Sequence, residues 1–160
     1  MPTIKLTQGY EAIVDDCYLE ILSKFKWRIF KTRHYCYGRA WTPMINKKRE
    51  LLFLHRYIAK IEFGELSKDI VVDHINGNTL DNRIANLRLA TKSQNCFNKK
   101  KEITSPHLYK GITKTTSGRY RAKIRKIDLG NFLDQESAAR AYDRAAKIIA
   151  GEFANLNFKE

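Results

Sequence analysis

A strand, loop, strand and helix pattern in the middle of the chain constrains its fold more than any other feature. An apolar run ends in Asp73-His74, and Asn76-Gly77 follows, a dipeptide that tolerates positive φ and therefore turns the chain. After a polar loop, Leu87 to Leu89 predicts a second short strand. The residues from Thr91 to Gln94 match a capping box, which predicts a helix that carries Asn95.

Four polar side chains of this pattern can meet in one pocket of a compact ββα unit. Asp73 and Asn95 offer oxygen atoms, the ligands that a hard dication such as magnesium or manganese prefers. A neutral imidazole at His74 is suited to take a proton from water that attacks a phosphodiester. Asn86 is suited to orient that imidazole. The pattern therefore predicts His74, Asn86 and Asn95 as catalytic residues, with Asp73 and Asn95 as metal ligands.

The same residues also allow simpler interpretations. Asparagines in such a segment are also typical of polar turns, in which side chains bond the local backbone. An EF-hand calcium loop begins with Asp too, but Ile75 and Gly77 would occupy its next ligand positions, which excludes it. His55 lies in an apolar run, a position typical of a hydrogen-bonded packing residue rather than a catalyst.

Composition indicates a folded protein with an anionic partner. The chain has 30 Lys and Arg against 17 Asp and Glu, a formal charge of +13, and 43% hydrophobic residues. Nucleic acid is the first candidate partner and an acidic membrane surface the second, because Lys and Arg release counterions when they neutralise phosphates.

The cysteines and the apolar runs indicate the compartment. The three cysteines form no C-x-x-C pair, which argues against a disulfide framework or a zinc knuckle. No window reaches the roughly 18 to 20 apolar residues of a membrane span, and the first twenty residues carry four acids. We therefore expect a cytoplasmic protein that is neither secreted nor membrane-bound.

The chain is expected to be an α+β protein of four parts. Residues 1–66 form an antiparallel, strand-rich region, in which Phe25, Trp27 and Ile29 alternate with polar residues. Residues 67–98 hold the ββα pattern. Like charges and a proline predict a basic linker at 99–106, followed by a second module at 107–160.

The second module has a basic strand face. From Arg119 to Arg125 a two-residue period places cations on one face and Tyr120, Ala122 and Ile124 on the other. Residues 135–150, with an apolar stripe that includes Ile148 and Ile149, are expected to cover the apolar face as a helix between a cap at Asp134 and Gly151. No acid lies between Lys110 and Lys126. The predicted DNA-contacting cations are Lys110, Lys114, Arg119, Arg121, Lys123 and Arg125.

The central segment resembles the HNH homing endonucleases of the ββα-metal type, with His74, Asn86 and Asn95 at the three signature positions. The likeness extends through Asp81-Asn82-Arg83 and the upstream Leu54-His55-Arg56. It implies a DNA endonuclease in which His74 is the general base, Asp73 and Asn95 bind Mg²⁺ or Mn²⁺, and Asn86 orients the base.

From Tyr109 to Phe158 the chain resembles the Apetala-type or ethylene-response-factor DNA-binding domain. The matching segments are Tyr109-Lys110-Gly111-Ile112, Arg119-Tyr120-Arg121-Ala122, Leu129-Gly130-Asn131-Phe132, Ala138 to Asp143 and Asn155 to Phe158. That likeness implies a three-stranded sheet packed on one helix, with the sheet in the major groove of double-stranded DNA. One departure is the short connection after Ile124, which lacks a Gly or Asn turn.

Together these features predict a metal-dependent, homing-endonuclease-like HNH enzyme of a bacterium or phage, with a C-terminal module that targets it to DNA. No protein partner is implied. The rival from another class is a DNA-binding regulator that does not cut, and metal-dependent nicking separates the two. A basic RNA-binding protein is a third possibility, although the stacked aromatics of common RNA modules are missing.

Overall fold

The computed structural model describes residues 2–44, 46–99 and 108–158, and the chain divides into two compact units, Met1–Lys92 and Ser93–Glu160. Both units combine short helices with antiparallel strands, which confirms the α+β class. The predicted linker, 99–106, lies outside the described residues except for Lys99. None of the described helices has the length and apolar character that crossing a bilayer requires.

The first unit contains three separate groups of strands around one apolar core. Strand β1 (Thr3–Lys5) pairs with β2 (Glu11–Ile13), a three-stranded sheet has the order β3 (Arg28–Lys31), β4 (Cys36–Trp41) and β5 (Leu51–Phe53), and β6 (Ile70–His74) pairs with β7 (Leu87–Thr91). Helices α1 (Leu19–Ser23) and α2 (Leu54–Phe63) complete it. The core includes the fully buried Leu22, Leu54 and Ile58. The helices therefore bury their apolar faces where the strand groups meet.

The N-terminal alternation was only partly a strand signal. Strand β3 begins at Arg28, so Phe25 and Trp27 precede it and lie after α1. The Trp27 ring is buried and its Nε1–H donates to the Leu22 carbonyl over 2.8 Å. Alternation in this segment thus reflects core packing of a turn rather than the period of an extended strand.

The second unit packs a three-stranded sheet on one long helix. Helix α3 (Lys92–Asn98) comes first in the chain, and strands β8 (Ile112–Lys114), β9 (Tyr120–Ile124) and β10 (Ile127–Phe132) precede α4 (Gln135–Ala150). The sheet order is β10-β9-β8, with antiparallel pairs. As predicted, Asp134 caps α4, accepting a hydrogen bond from the Ser137 amide over 2.7 Å, and Gly151 ends the helix at φ 53°.

Only part of the predicted apolar stripe of α4 covers the sheet. Ala122 and Ile124 of β9 are buried against α4, whose own buried positions are Ala138, Ala139, Tyr142, Ala146 and Ala150. Ile148 is 86% exposed and Ile149 45% exposed, so the prediction that these two cover the sheet is wrong. Small alanines allow the helix to approach the sheet closely, and this leaves the large isoleucines on the outer side.

Candidate functional site

The β6–β7 hairpin places Asp73 and the first signature residue, His74, at the end of a strand. Asp73 pairs with Arg88 and His74 with Leu87 in the antiparallel register. Asp73 and His74 are both only 5% exposed. The predicted strand, loop, strand and helix are all present. The local pattern in the sequence therefore yields a carboxylate and an imidazole at consecutive, buried positions at the end of a strand.

Asn86 holds together the loop that joins β6 to β7. Its Oδ1 accepts from the Asn76 amide over 2.9 Å, and its Nδ2 donates to the Asp81 carbonyl over 2.7 Å. Its own carbonyl accepts from the Ile75 amide over 2.9 Å. These bonds fix the backbone that leaves His74. The predicted orienting role of Asn86 therefore has a route through the loop backbone.

Asp81 forms a second brace in the same loop. Arg83 donates two hydrogen bonds to its carboxylate, over 2.8 and 2.7 Å, and the Asn76 side chain donates a third over 2.9 Å. The Arg83 hydrogen bonds hold the pKa of Asp81 below its usual range. Asp81 is 2% exposed, so a charged carboxylate is stabilised inside the loop by paired donors.

Asn82 is the side chain that contacts the His74 ring within this loop. Its Oδ1 lies 3.4 Å from His74 Nε2, and Asn82 is 1% exposed. Burial lowers the pKa of His74 below the ordinary value of 6.5, although the Asn82 contact and nearby Asp73 oppose that shift. His74 is therefore neutral at physiological pH, the form in which an imidazole accepts a proton.

A second histidine packs against the first. The ring centroids of His55, at the start of α2, and His74 lie 5.3 Å apart, and Tyr37 and Phe53 lie 5.4 and 5.9 Å from His55. Burial lowers the pKa of His55 to about 3. Its packing role was predicted correctly, but the expected hydrogen bond is missing at Nδ1, which is buried and has no partner among the residues that the structure describes.

Asp73, the predicted metal ligand in the first unit, is engaged in an ion pair. Arg88 donates from Nε and from a terminal nitrogen to Asp73 Oδ2 over 3.0 and 2.9 Å. The side chains are 12% and 6% exposed, so the pair is largely shielded from water. This contact fixes the carboxylate at the end of β6.

Asn95 lies half-buried on α3, in the second unit. The donor chemistry of the predicted pair, a carboxylate and a carboxamide oxygen, fits a hard divalent cation. Across 2–44, 46–99 and 108–158, no group of three or more His, Cys, Asp or Glu side chains is arranged to hold a metal ion.

Four of the predicted DNA-contacting cations lie exposed on the sheet of the second unit or beside it. These are Lys114, Arg119, Arg121 and Lys123. Their strand neighbours Ala122 and Ile124 are buried, which confirms the predicted alternation along β9. Arg121 pairs with Asp128 across the β9–β10 hairpin. The exposed face of the sheet is therefore basic and the opposite face apolar.

The other two predicted cations contact α3. Lys110 Nζ donates to the carbonyls of Phe97 and Lys99, each over 2.7 Å. Arg125 donates to the Ser93 carbonyl over 2.8 Å and its guanidinium lies 4.3 Å from the centre of the Phe97 ring. Burial lowers the pKa of Lys110 below its ordinary value.

Sequence reasoning gave no role to Asn82 or Arg88. Both lie in segments that were singled out, next to Asp81 and to Leu87, but the pattern did not reveal their partners. A signal for Arg88 existed, because a residue two positions into the second strand of a hairpin faces the corresponding residue of the first strand. Asn82 had no comparable signal, since its contact with His74 depends on the loop conformation.

Comparisons with known proteins cover both units. A family model described as HNH endonuclease matches residues 52–96. A protein named as an uncharacterized HNH endonuclease of Acanthamoeba polyphaga mimivirus is 34% identical over 142 residues, covering 86% of this chain and 69% of that protein.

Two plant proteins match a smaller part of the chain. An ethylene-responsive transcription factor of Arabidopsis thaliana is 39% identical over 75 residues, 43% of this chain and 28% of that protein. Another, of Nicotiana tabacum, is 41% identical over 56 residues, 31% of this chain and 25% of that protein. The chain thus spans only about a quarter of the length of either factor.

Proposed function

The chain belongs to the HNH endonuclease family, and from that premise we propose that it is a metal-dependent nuclease of the homing-endonuclease type that cuts double-stranded DNA held by its second unit. The observation that carries the proposal is the buried, neutral His74 beside Asp73 at the end of β6. A carboxylate that can bind a metal ion and a neutral imidazole that can act as a base are together suited to hydrolysis of a phosphodiester.

His74 is proposed as the general base. Oδ1 of Asn82 faces Nε2, and an acceptor at this position favours the tautomer in which Nε2 carries the proton. In that tautomer Nδ1 carries the lone pair and takes the proton from the attacking water. A positioned base of this kind contributes about 10² to 10⁴ in rate.

Asp73 and Asn95 are proposed as the residues that hold a divalent cation, Mg²⁺ or Mn²⁺. A bound cation supplies electrostatic stabilisation of the charge that develops on the phosphate and on the leaving oxygen. The support for Asp73 is its position next to the proposed base and its carboxylate held by Arg88. The support for Asn95 is the sequence pattern and its place on α3.

Asn86 is proposed to orient His74 through the backbone. Its side chain spans the loop from Asn76 to Asp81, while Asn82 contacts the imidazole directly. The loop therefore holds His74 through its backbone and through the Asn82 side chain. A side chain that rotated freely would lose entropy whenever it reached the reactive geometry, and this arrangement avoids that loss.

The second unit is proposed to bind duplex DNA through its basic face. Support comes from the exposed cations and from the likeness of this segment to the plant transcription factors. Phosphate contacts from such a face should dominate affinity and make it depend on salt. The proposed contacts are those predicted from the sequence: Lys110, Lys114, Arg119, Arg121, Lys123 and Arg125. The proposed setting is the cytoplasm of a bacterial or phage-infected cell.

A plasmid nicking assay tests this function. Wild-type protein is expected to cut supercoiled plasmid with Mg²⁺ or Mn²⁺ and to stop when a chelator is added. The His74→Ala variant should cleave about 10² to 10⁴ times more slowly than wild type but keep its DNA affinity, because the base contacts the attacking water and does not hold the duplex.

His34→Ala is the matched control, since it removes an exposed histidine of the same unit. Its cleavage rate should equal that of wild type. Cleavage by His74→Ala at the wild-type rate would reject the proposed base. Binding of plasmid without any metal-dependent nicking would instead favour the regulator alternative.

A further inference from the structure

A lysine of the second unit forms hydrogen bonds to the C-terminal end of helix α3. The last carbonyls of an α-helix have no partner within the helix, and a cation there also complements the helix dipole. Lys110 Nζ donates to the Phe97 and Lys99 carbonyls, each over 2.7 Å. Asn155 donates to the same end, from its amide to Phe97 over 3.2 Å and from Nδ2 to the Asn98 carbonyl over 3.2 Å.

Lys110 is itself anchored in the core of the unit. Its backbone amide donates to Asn157 Oδ1 over 2.6 Å, and its carbonyl accepts from Asn157 Nδ2 over 3.2 Å. Asn157 in turn donates from Nδ2 and from its amide to the Asp143 carboxylate, over 2.9 to 3.0 Å. Asp143 is 8% exposed, on α4. The lysine therefore connects α3 to a rigid, satisfied network.

Arg125 fastens the other end of the same helix. It occupies the two-residue turn between β9 and β10 and adopts φ 53°, a left-handed conformation that side chains rarely take. Its guanidinium donates to the Ser93 carbonyl over 2.8 Å and stacks on Phe97, which is 7% exposed. The turn thus directs the arginine toward α3.

A helix of this length needs such contacts. Helix α3 has seven residues, and isolated helices shorter than about 12 to 15 residues are marginal in water. Its position is therefore set by the groups that hold it. Lys110 contacts the C-terminal end of the helix that carries Asn95, and Arg125 contacts Ser93 near its N-terminal end as well as Phe97.

We propose that Lys110 and Arg125 are positioning residues for Asn95, because both contact the helix that carries it. The inference rests on the proposed function, which assigns Asn95 to the metal. We call Lys110 and Arg125 the clamp residues. Loss of either one lets α3 shift, and a displacement of about 1 Å is enough to lower the rate that depends on a catalytic group by about 10²-fold.

Matched substitutions in the full chain test this. Lys110→Met and Arg125→Met remove the clamp, whereas Lys114→Met and Arg119→Met remove exposed cations on the same sheet or beside it. Three quantities are measured: the Kd for duplex DNA in chelator, the single-turnover cleavage rate at saturating DNA, and the Kd for Mn²⁺ by electron paramagnetic resonance titration.

The clamp variants should lose about tenfold or more in the saturating rate and bind Mn²⁺ several-fold more weakly, with a smaller change in DNA affinity. Lys114→Met and Arg119→Met should show the reverse, a weaker DNA Kd whose effect on cleavage is recovered by raising the DNA concentration. Lys110→Arg retains a donor for the carbonyls and should recover most of the Mn²⁺ affinity.

Three outcomes would overturn the inference. The first is equal behaviour of Lys110→Met and Lys114→Met in all three measurements. The second is a clamp variant with wild-type Mn²⁺ affinity. The third is a Lys110→Arg variant that binds Mn²⁺ as weakly as Lys110→Met does, while hydrogen exchange shows that α4 is intact. Asn95→Ala distinguishes failure of the proposed function from failure of this inference. If the variant keeps the wild-type rate and Mn²⁺ affinity, Asn95 is rejected as a ligand. If it is inactive while the clamp variants are unaffected, only the positioning role of Lys110 and Arg125 is rejected.

Discussion

Gly111→Ala is expected to destabilise the second unit far more than the same change at Gly118. Both glycines have positive φ, +77° and +79°, so an alanine at either position costs about 1 to 2 kcal/mol in backbone strain. At Gly111 the new Cβ would also lie 2.2 and 2.3 Å from Tyr142 ring carbons and 2.8 Å from the Lys123 carbonyl oxygen. At Gly118, apart from its two chain neighbours, no atom of the described part of the chain lies within 4 Å of the added Cβ.

The steric overlap at Gly111 must displace a buried ring or a strand. Tyr142 is 5% exposed and the Gly111 carbonyl accepts from the Lys123 amide over 2.8 Å, so neither neighbour moves freely. Overpacking of this kind costs about 1 to 3 kcal/mol or more. The total for Gly111→Ala is therefore about 2 to 5 kcal/mol, against about 1 to 2 kcal/mol for Gly118→Ala.

The readout must come from the second unit. Both tryptophans, Trp27 and Trp41, belong to the first unit, so tryptophan fluorescence does not follow the relevant transition. Hydrogen exchange of peptides from β9 and α4 reports the opening free energy there. Equal loss of protection in the two alanine variants, to within about 0.5 kcal/mol, would refute the steric argument.

Further predictions concern the base, its neighbours and the DNA face. Burial lowers the pKa of His74, so the cleavage rate should rise with pH along an acid limb with its midpoint below 6.5 and be level at pH 7; a midpoint at or above 6.5 contradicts this. The pKa of His55 is about 3 in the folded state and 6.5 in the unfolded state. Its stabilising effect is therefore fully present above pH 6.5 and falls on acidification. In urea titrations, the free energy of unfolding of wild type should fall by about 1 to 2 kcal/mol more than that of His55→Phe between pH 7 and 5. Asn82→Ala should slow cleavage by about tenfold or more at saturating DNA with unchanged DNA affinity in a filter-binding assay, because Asn82 contacts the base and its Nδ2 has no partner to lose. Lys123→Ala should lower the slope of log affinity against log salt by about one, and an unchanged slope would remove this lysine from the phosphate contacts.

Some elements were predictable because their signals are local. The alternation from Arg119 to Ile124 predicts a strand with one basic and one apolar face, and β9 has both. The hydroxyl-amide signature at Thr91 predicts the start of α3, and Asp134 and Gly151 predict the ends of α4. Each of these signals depends on backbone geometry within a few residues, which neighbours in sequence largely determine.

Other features depend on which distant groups meet. Sequence alone placed Ile148 on the covered face of α4, but the close approach of the helix selected alanines there instead. It assigned Lys110 to DNA, and the fold adds a contact that the sequence did not indicate, between its ammonium and the carbonyls of Phe97 and Lys99. A lysine has the same composition signal in either role, because its flexible side chain takes its partner from the tertiary structure.

The sequence by itself determined the family, the order of strands and helices, and the residue types available for chemistry, since these follow from spacing and from periods of two and 3.6 residues. Only the tertiary structure brought Asn82 and His55 against His74 and paired Arg88 with Asp73. Burial and side-chain hydrogen bonds are long-range properties of the folded chain, and they set the protonation of His74, which no local pattern specifies.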